Sequence, residues 1–144
     1  MRRLVRGLGS SSKAARQGFA AALAGALEVL STAGLVDASR AADLVDEVLP
    51  TPTANMSRPD AKDRRLGRLF ALGAVTRSGP APAVAPRLLA GVMEVWLASP
   101  FLREAAGAVV LDLLGNLAIE DAEMVIRGCQ PLVDALHAEP EARG

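Results

Sequence analysis

Apolar residues recur at helical spacing along nearly the whole chain, and nowhere do they alternate in the two-residue period of a half-buried strand. The longest unbroken run, about Lys13 to Leu30, has no proline, and Gly18 and Gly25 are its only glycines. At about 100° per residue, Ala15, Phe19, Ala22, Leu23, Ala26, Leu27 and Leu30 fall on one face. Ser11 or Ser12 stands where a cap belongs. The opposite face carries Ala20, Ala21, Ala24 and Gly25 rather than charge. A helix that is apolar or small all round needs cover on more than one side. This run is therefore expected to be an inner helix, preceded by a short helix end at Arg3–Leu8 and a break at Gly9–Ser12.

The same periodicity predicts further helices. One runs from about Ala38 to Leu49, capped by Asp37 or Ser39 and stopped by Pro50, with Leu44, Val45, Val48 and Leu49 inward and Asp43, Asp46 and Glu47 on a solvated side. Residues 50–58 form a loop. The next helix spans Pro59 to about Ser78, capped by Ser57 and ended by Gly79-Pro80. Leu66, Leu69, Phe70 and Gly73 share one of its faces, and Arg64, Arg65 and Arg68 lie towards the other. After a proline-rich connection, a helix from about Arg87 to Ala98 buries Leu88, Val92, Val95 and Trp96. Ser99-Pro100 opens another, running to about Leu117. Its stripe is Leu102, Ala106, Val109, Leu113 and Leu117, and Leu111 and Leu114 predict cover on a second side. Short helices near Asp121–Arg127 and Pro131–Ala138 close the chain. The class is all-α. A run of helices joined by short Pro/Gly/Ser breaks has the grammar of an armadillo- or HEAT-like α-solenoid, with an irregular helical bundle as the alternative.

Composition sharpens this picture. Of the 144 residues 51% are hydrophobic but only 3% aromatic, so bulk comes from Leu, Val and Ala, which favours helix over sheet. Sixteen basic residues balance sixteen acidic ones, and the net field draws no polyanion to the chain as a whole. The distribution is uneven: Arg2, Arg3, Arg6, Lys13 and Arg16 precede the first acid, Glu28. Such an opening also resembles an organelle presequence.

Catalytic chemistry has little to work with. Cys129 and His137 are the only residues of their kinds, which excludes an internal disulfide and a Cys/His zinc site. A triad would need His137, just before Glu139-Pro140. The Gly7–Lys13 segment has the outline of a phosphate loop. Ser12 stands where the second glycine is required, Ala14 where the magnesium-binding hydroxyl belongs, and no strand precedes it. Glu104 with Asp112, and Glu120, Asp121 and Glu123, are placed as solvated or first-turn acids. No catalytic residue, metal ligand or cofactor site is expected. The candidates for a polyanion contact are Arg2, Arg3, Arg6, Lys13 and Arg16 at the opening, with Arg64 and Arg68 further on.

The opening stretch RLVRGLGSSSKAARQGFAAAL resembles the N-terminal block of the Myb-binding protein 1A / DNA polymerase V (phi) family. The matching positions are Arg3-Leu4-Val5, Gly7-Leu8, Ser10-Ser11, Ala14-Ala15-Arg16 and Gly18-Phe19, with Lys13 near an expected Arg. Two further blocks keep the order. Gly67-Arg68-Leu69-Phe70 with Ser78-Gly79 is similar to the family's G-R-L-F…Q-S-G segment, and Phe101-Leu102-Arg103-Glu104 to its W-L-R-E segment. The resemblance covers about Arg3 to Leu117. It divides the chain into armadillo-like repeats over 1–118 and a short helical extension over 119–144. Relative to the family pattern, the chain looks like the opening repeats only, without the strongly basic C-terminal region.

The resemblance implies a non-enzymatic nucleolar protein of the DNA-binding, transcription-regulating type, acting as a helical-repeat scaffold in ribosomal RNA gene transcription and ribosome biogenesis. Polymerase activity is not expected despite the family's name. The implied partners are transcription factors or other nucleolar proteins and DNA, with no membrane. Self-association through exposed solenoid ends is a further expectation. The alternative is a generic α-helical protein-interaction module without a nucleic-acid role, targeted to an organelle by its Arg/Ser-rich opening.

Overall fold

Side-chain caps fix where the long helices begin. Ser12 Oγ accepts from the Ala15 amide (3.3 Å), Asp37 Oδ1 from Arg40 (2.8 Å) and Ser57 Oγ from Asp60 (3.2 Å). Each satisfies a first-turn donor that has no partner within its helix. The computed structural model describes residues 1–79 and 82–138. Its helices are α1 (Arg2–Gly7), α2 (Lys13–Thr32), α3 (Ala38–Val48), α4 (Arg58–Arg77), α5 (Ala85–Ala98), α6 (Arg103–Gly115), α7 (Ile119–Arg127) and α8 (Gln130–His137). Among the described residues there is no strand, so the chain is all-α. Pro100–Leu102 forms a single 3-10 turn, which delays the start of α6 to Arg103. Pro80, half of the stop expected after α4, and Glu139-Pro140 lie outside the described residues. Gly79 has φ +138°, a conformation closed to L side chains, and α4 has already ended at Arg77.

Consecutive helices pack as pairs: α1 with α2, α3 with α4, α5 with α6, α7 with α8. Between pairs, α2 touches α4 and α4 touches α6, while α1 touches α3 and α5 touches α7. Helix α4 also meets α5, so α2, α3, α5 and α6 all lie against it.

This corrects the expected inner helix. Helix α4 is the covered one: from Gly67 to Thr76 every residue is buried except Phe70, which is half-buried. The apolar face proposed for it was too narrow, because Ala71, Leu72, Ala74 and Val75 are interior as well as Leu69. Helix α2 buries one stripe, Arg16, Ala20, Leu23 and Leu27. Half a turn away, Gly18, Ala22 and Gly25 are exposed and Val29 is 68% exposed. Alanine and glycine carry so little side chain that leaving them in water costs almost nothing, and a small-residue face does not oblige burial. Helix α6 packs on both α4 and α5; of the two residues expected to be covered on its second side, Leu114 is half-buried against the core and Leu111 is 73% exposed. Trp96, expected in the core, is half-buried at its edge, where the Arg103 guanidinium lies 4.4 Å from the ring centroid.

Two glycines set the closest approaches. A Cβ on Gly67 would stand 2.5 Å from the Leu8 carbonyl oxygen, so α4 lies directly against the α1–α2 turn. A Cβ on Gly7 would collide with the Phe19 ring, which tucks the turn under α2. Val5 and Leu8 are fully buried in the same place.

Candidate polyanion interface

Seven cations were expected to face a polyanion, and the fold separates them. Arg16 and Arg68 are interior, which removes both from that surface. Arg16 reaches back along α2, donates to the Ser10 carbonyl (2.6 Å) and sits 3.6 Å from Asp63. It ties the turn before α2 to α4. Arg68 donates to the Leu49 carbonyl (2.5 Å) and to Asp46 (3.2 Å). These acceptors replace part of the water around each guanidinium, while Arg16 Nε and Arg68 Nε are buried without a hydrogen-bond partner among the described residues. Arg64, half-buried one turn earlier, donates to the Pro50 carbonyl (3.2 Å) rather than pairing with Asp60. Arg2 pairs with Glu47 across the surface.

Arg3, Arg6 and Lys13 remain. All three are exposed and make no ion pair among the described residues. Arg3 and Arg6 lie on α1, and Lys13 opens α2, where the free amides of the first turn also point outward. The glycine-rich outline around them folds as a plain helix–helix turn, in which the Ser12 amide donates to Ser10 Oγ (3.1 Å).

The acids of α3, read as a solvated side, are exposed as expected, and two of them also form an ionic strap. Arg87 of α5 places one guanidinium nitrogen 2.6 Å from Asp43 and the other 2.6 Å from Asp46. The hydrogen bonds to Asp46 and then Asp43 raise the Arg87 pKa, so its charge is permanent. Asp46 serves Arg68 as well, and α3, α4 and α5 are joined at one carboxylate. Asp43 and Asp46 are neighbours on α3, but Arg68 and Arg87 stand 22 and 41 residues from Asp46, and no spacing announces the cluster. Beside the strap runs a cleft of about 540 Å³ that reaches Thr51 and Glu94.

Helices α5, α6 and α8 line an open apolar groove of about 530 Å³. Met93, Trp96, Leu111, Leu132 and Leu136 line it, and Arg103 and Glu104 stand at its rim. Among the described residues no three His, Cys, Asp or Glu side chains converge as a metal-binding group. No helix there is long and apolar enough to cross a membrane.

No curated protein matches the chain. No solved structure matches it either. A family model described as DNA polymerase phi matches residues 1–142, running past Leu117, where the resemblance read from the sequence ends. With nearly its whole length inside that match, the chain belongs to the DNA polymerase phi family.

Proposed function

We propose that this protein is a nuclear, non-catalytic helical scaffold that contacts nucleic acid through Arg3, Arg6 and Lys13 at its opening end. The nucleolus, with ribosomal RNA gene transcription and ribosome biogenesis, is the setting this reading assigns to it. Membership of the DNA polymerase phi family supports a nucleic-acid setting. The single observation that carries the contact is the trio of exposed cations without ion-pair partners, beside the first-turn amides of α2. The succession of helix pairs, each touching the next, supports the solenoid over the irregular bundle. In this reading residues 1–118 are the repeats and 119–144 a short extension.

Fluorescence anisotropy with duplex DNA and single-stranded RNA over a salt series tests the contact. Each phosphate neutralised contributes a slope of roughly −0.9 in log K against log salt for a duplex. Changing Arg3, Arg6 and Lys13 together to Gln is expected to weaken binding and flatten that slope. A triple variant with the native slope overturns the interface, and native protein that does not bind overturns the nucleic-acid role. Imaging a C-terminally tagged chain tests the setting: nucleolar signal supports it, and an organelle with a trimmed N-terminus overturns it.

The apolar groove between α5, α6 and α8 favours one second reading, a protein-interaction module whose partners are transcription factors or other nucleolar proteins.

A further inference from the structure

The two ends of the chain differ in charge and in kind. At the opening end, Arg3, Arg6 and Lys13 stand exposed, and the outward side of α2 ends in the exposed Val29. The first acid in the sequence is Glu28. At the closing end the balance reverses. From α6 onwards, among the described residues, Glu104, Asp112, Glu120 and Asp121 make no ion pair, and both arginines have a partner. Arg103 lies on Trp96 and Arg127 sits 3.9 Å from Glu123. The same end leaves Leu111, Ile119, Met124 and Leu136 each at least 65% exposed, and Leu111 and Leu136 line the groove of about 530 Å³. Helices α1 and α2 lie at one end of the succession of contacts and α7 and α8 at the other.

We propose that a second copy of this chain docks head to tail: the acidic, apolar closing end of one copy receives the basic opening end of the next. Charge complementarity selects this occupant. A like pairing, closing end on closing end, would set Glu104, Asp112, Glu120 and Asp121 against their own copies, and opening end on opening end would do the same with Arg3, Arg6 and Lys13. The two surfaces are different, so the contact is heterologous, and one docking leaves a free end of each kind for another copy. Growth therefore passes beyond a dimer, to a ring or a filament as the rotation between copies dictates, and is salt-sensitive. It does not depend on the nucleic-acid role, although nucleic acid bound at Arg3, Arg6 and Lys13 would compete with it.

The test uses full-length, nuclease-treated protein in sedimentation velocity and light scattering. One variant blocks the opening end (Arg3→Glu, Arg6→Glu, Lys13→Glu) and another the closing end (Leu111→Arg, Leu136→Arg). All five positions are exposed, so both variants keep the fold, which circular dichroism checks. The native chain is expected to gain mass with concentration, pass beyond a dimer and revert to monomer in high salt. Each variant alone is expected to stay monomeric. Mixed, they form one dimer and stop, because only the unblocked closing end of the first and the unblocked opening end of the second remain. A native chain that stays monomeric up to its solubility limit overturns the proposal. So does a closed dimer indifferent to salt, or a mixture that does not associate. Anisotropy on the same opening-end variant reads the nucleic-acid contact separately, so failure of either reading is seen on its own.

Discussion

Gly67→Ala is a change of one methyl group that the fold cannot accept without moving backbone. The new Cβ would stand 2.5 Å from the Leu8 carbonyl oxygen, 2.9 Å from its carbon and 3.3 Å from the Gly9 nitrogen. An ordinary contact is about 3.5 Å or more, so α4 and the α1–α2 turn must separate by close to an ångström. The atoms in the way belong to the chain itself, so no rotamer relieves them, and the cost lies at the upper end of the usual overpacking range of about 1–3 kcal/mol. Alanine regains about 1 kcal/mol of helix propensity over glycine. The net expectation is a loss of about 2 kcal/mol, which lowers Tm by roughly 4–8 °C for a chain of this size. Gly18→Ala and Gly25→Ala in α2 are the matched controls. Nothing lies within 4 Å of a Cβ at either position, so each is expected to stabilise by up to about 1 kcal/mol. Urea and thermal melts of the three variants decide the matter. A neutral or stabilised Gly67→Ala protein would refute the assignment of α4 as the central helix seated on Leu8.

Leu23→Asp places a carboxylate where the side chain is 1% exposed, between α2 and the core. The cost of several kcal/mol, set against a total of about 5–15, is expected to abolish cooperative unfolding, and a sharp thermal transition would contradict it. Arg68→Ala removes the donor from the Leu49 carbonyl and one partner from Asp46, with an expected loss of about 2–4 kcal/mol in denaturant melts. Arg68→Met keeps the packed stem and is expected to lose less, about 1–3 kcal/mol. If both substitutions leave the midpoint unchanged, the buried guanidinium is not structural.

Where the information is local, the sequence could be read. Ser12, Asp37 and Ser57 announce helix starts because a cap acts within three residues, and Pro50 announces a stop for the same reason. Which helix lies inside is a different kind of fact. Alanine and glycine look identical whether they face water or a neighbour, so α2 read as covered when its outward side is open. Arginine normally signals solvent, so α4 read as half-solvated when Arg68 is interior. Its acceptors, Leu49 and Asp46, come from another helix, and no window of sequence contains them. The same limit applied to the candidate interface. Arg3, Arg6 and Lys13 are exposed, the default for a cation, and Arg16 is interior because Ser10 and Asp63 take it inward. The family blocks are informative in an unexpected way. Gly7 and Phe19 meet each other, Gly67 meets Leu8, and Arg16 and Arg68 tie loops to helices. The quoted motifs therefore record how the first helix pairs fit together.

The two guanidinium groups over the end of α3 have a metrical consequence. Arg64 and Arg68 are spaced by about one helical turn on α4, and they engage the adjacent carbonyls of Pro50 and Leu49. Sliding α4 by a single residue would swing both side chains about 100° away from those oxygens. The pair thus works as a vernier, and the register of α4 against α3 is written into α4 itself. Residues 50–57 are relieved of measuring out that distance. Insertions there are expected to cost little entropy, because the loop has only to reach, while the two arginines decide where the helix comes to rest.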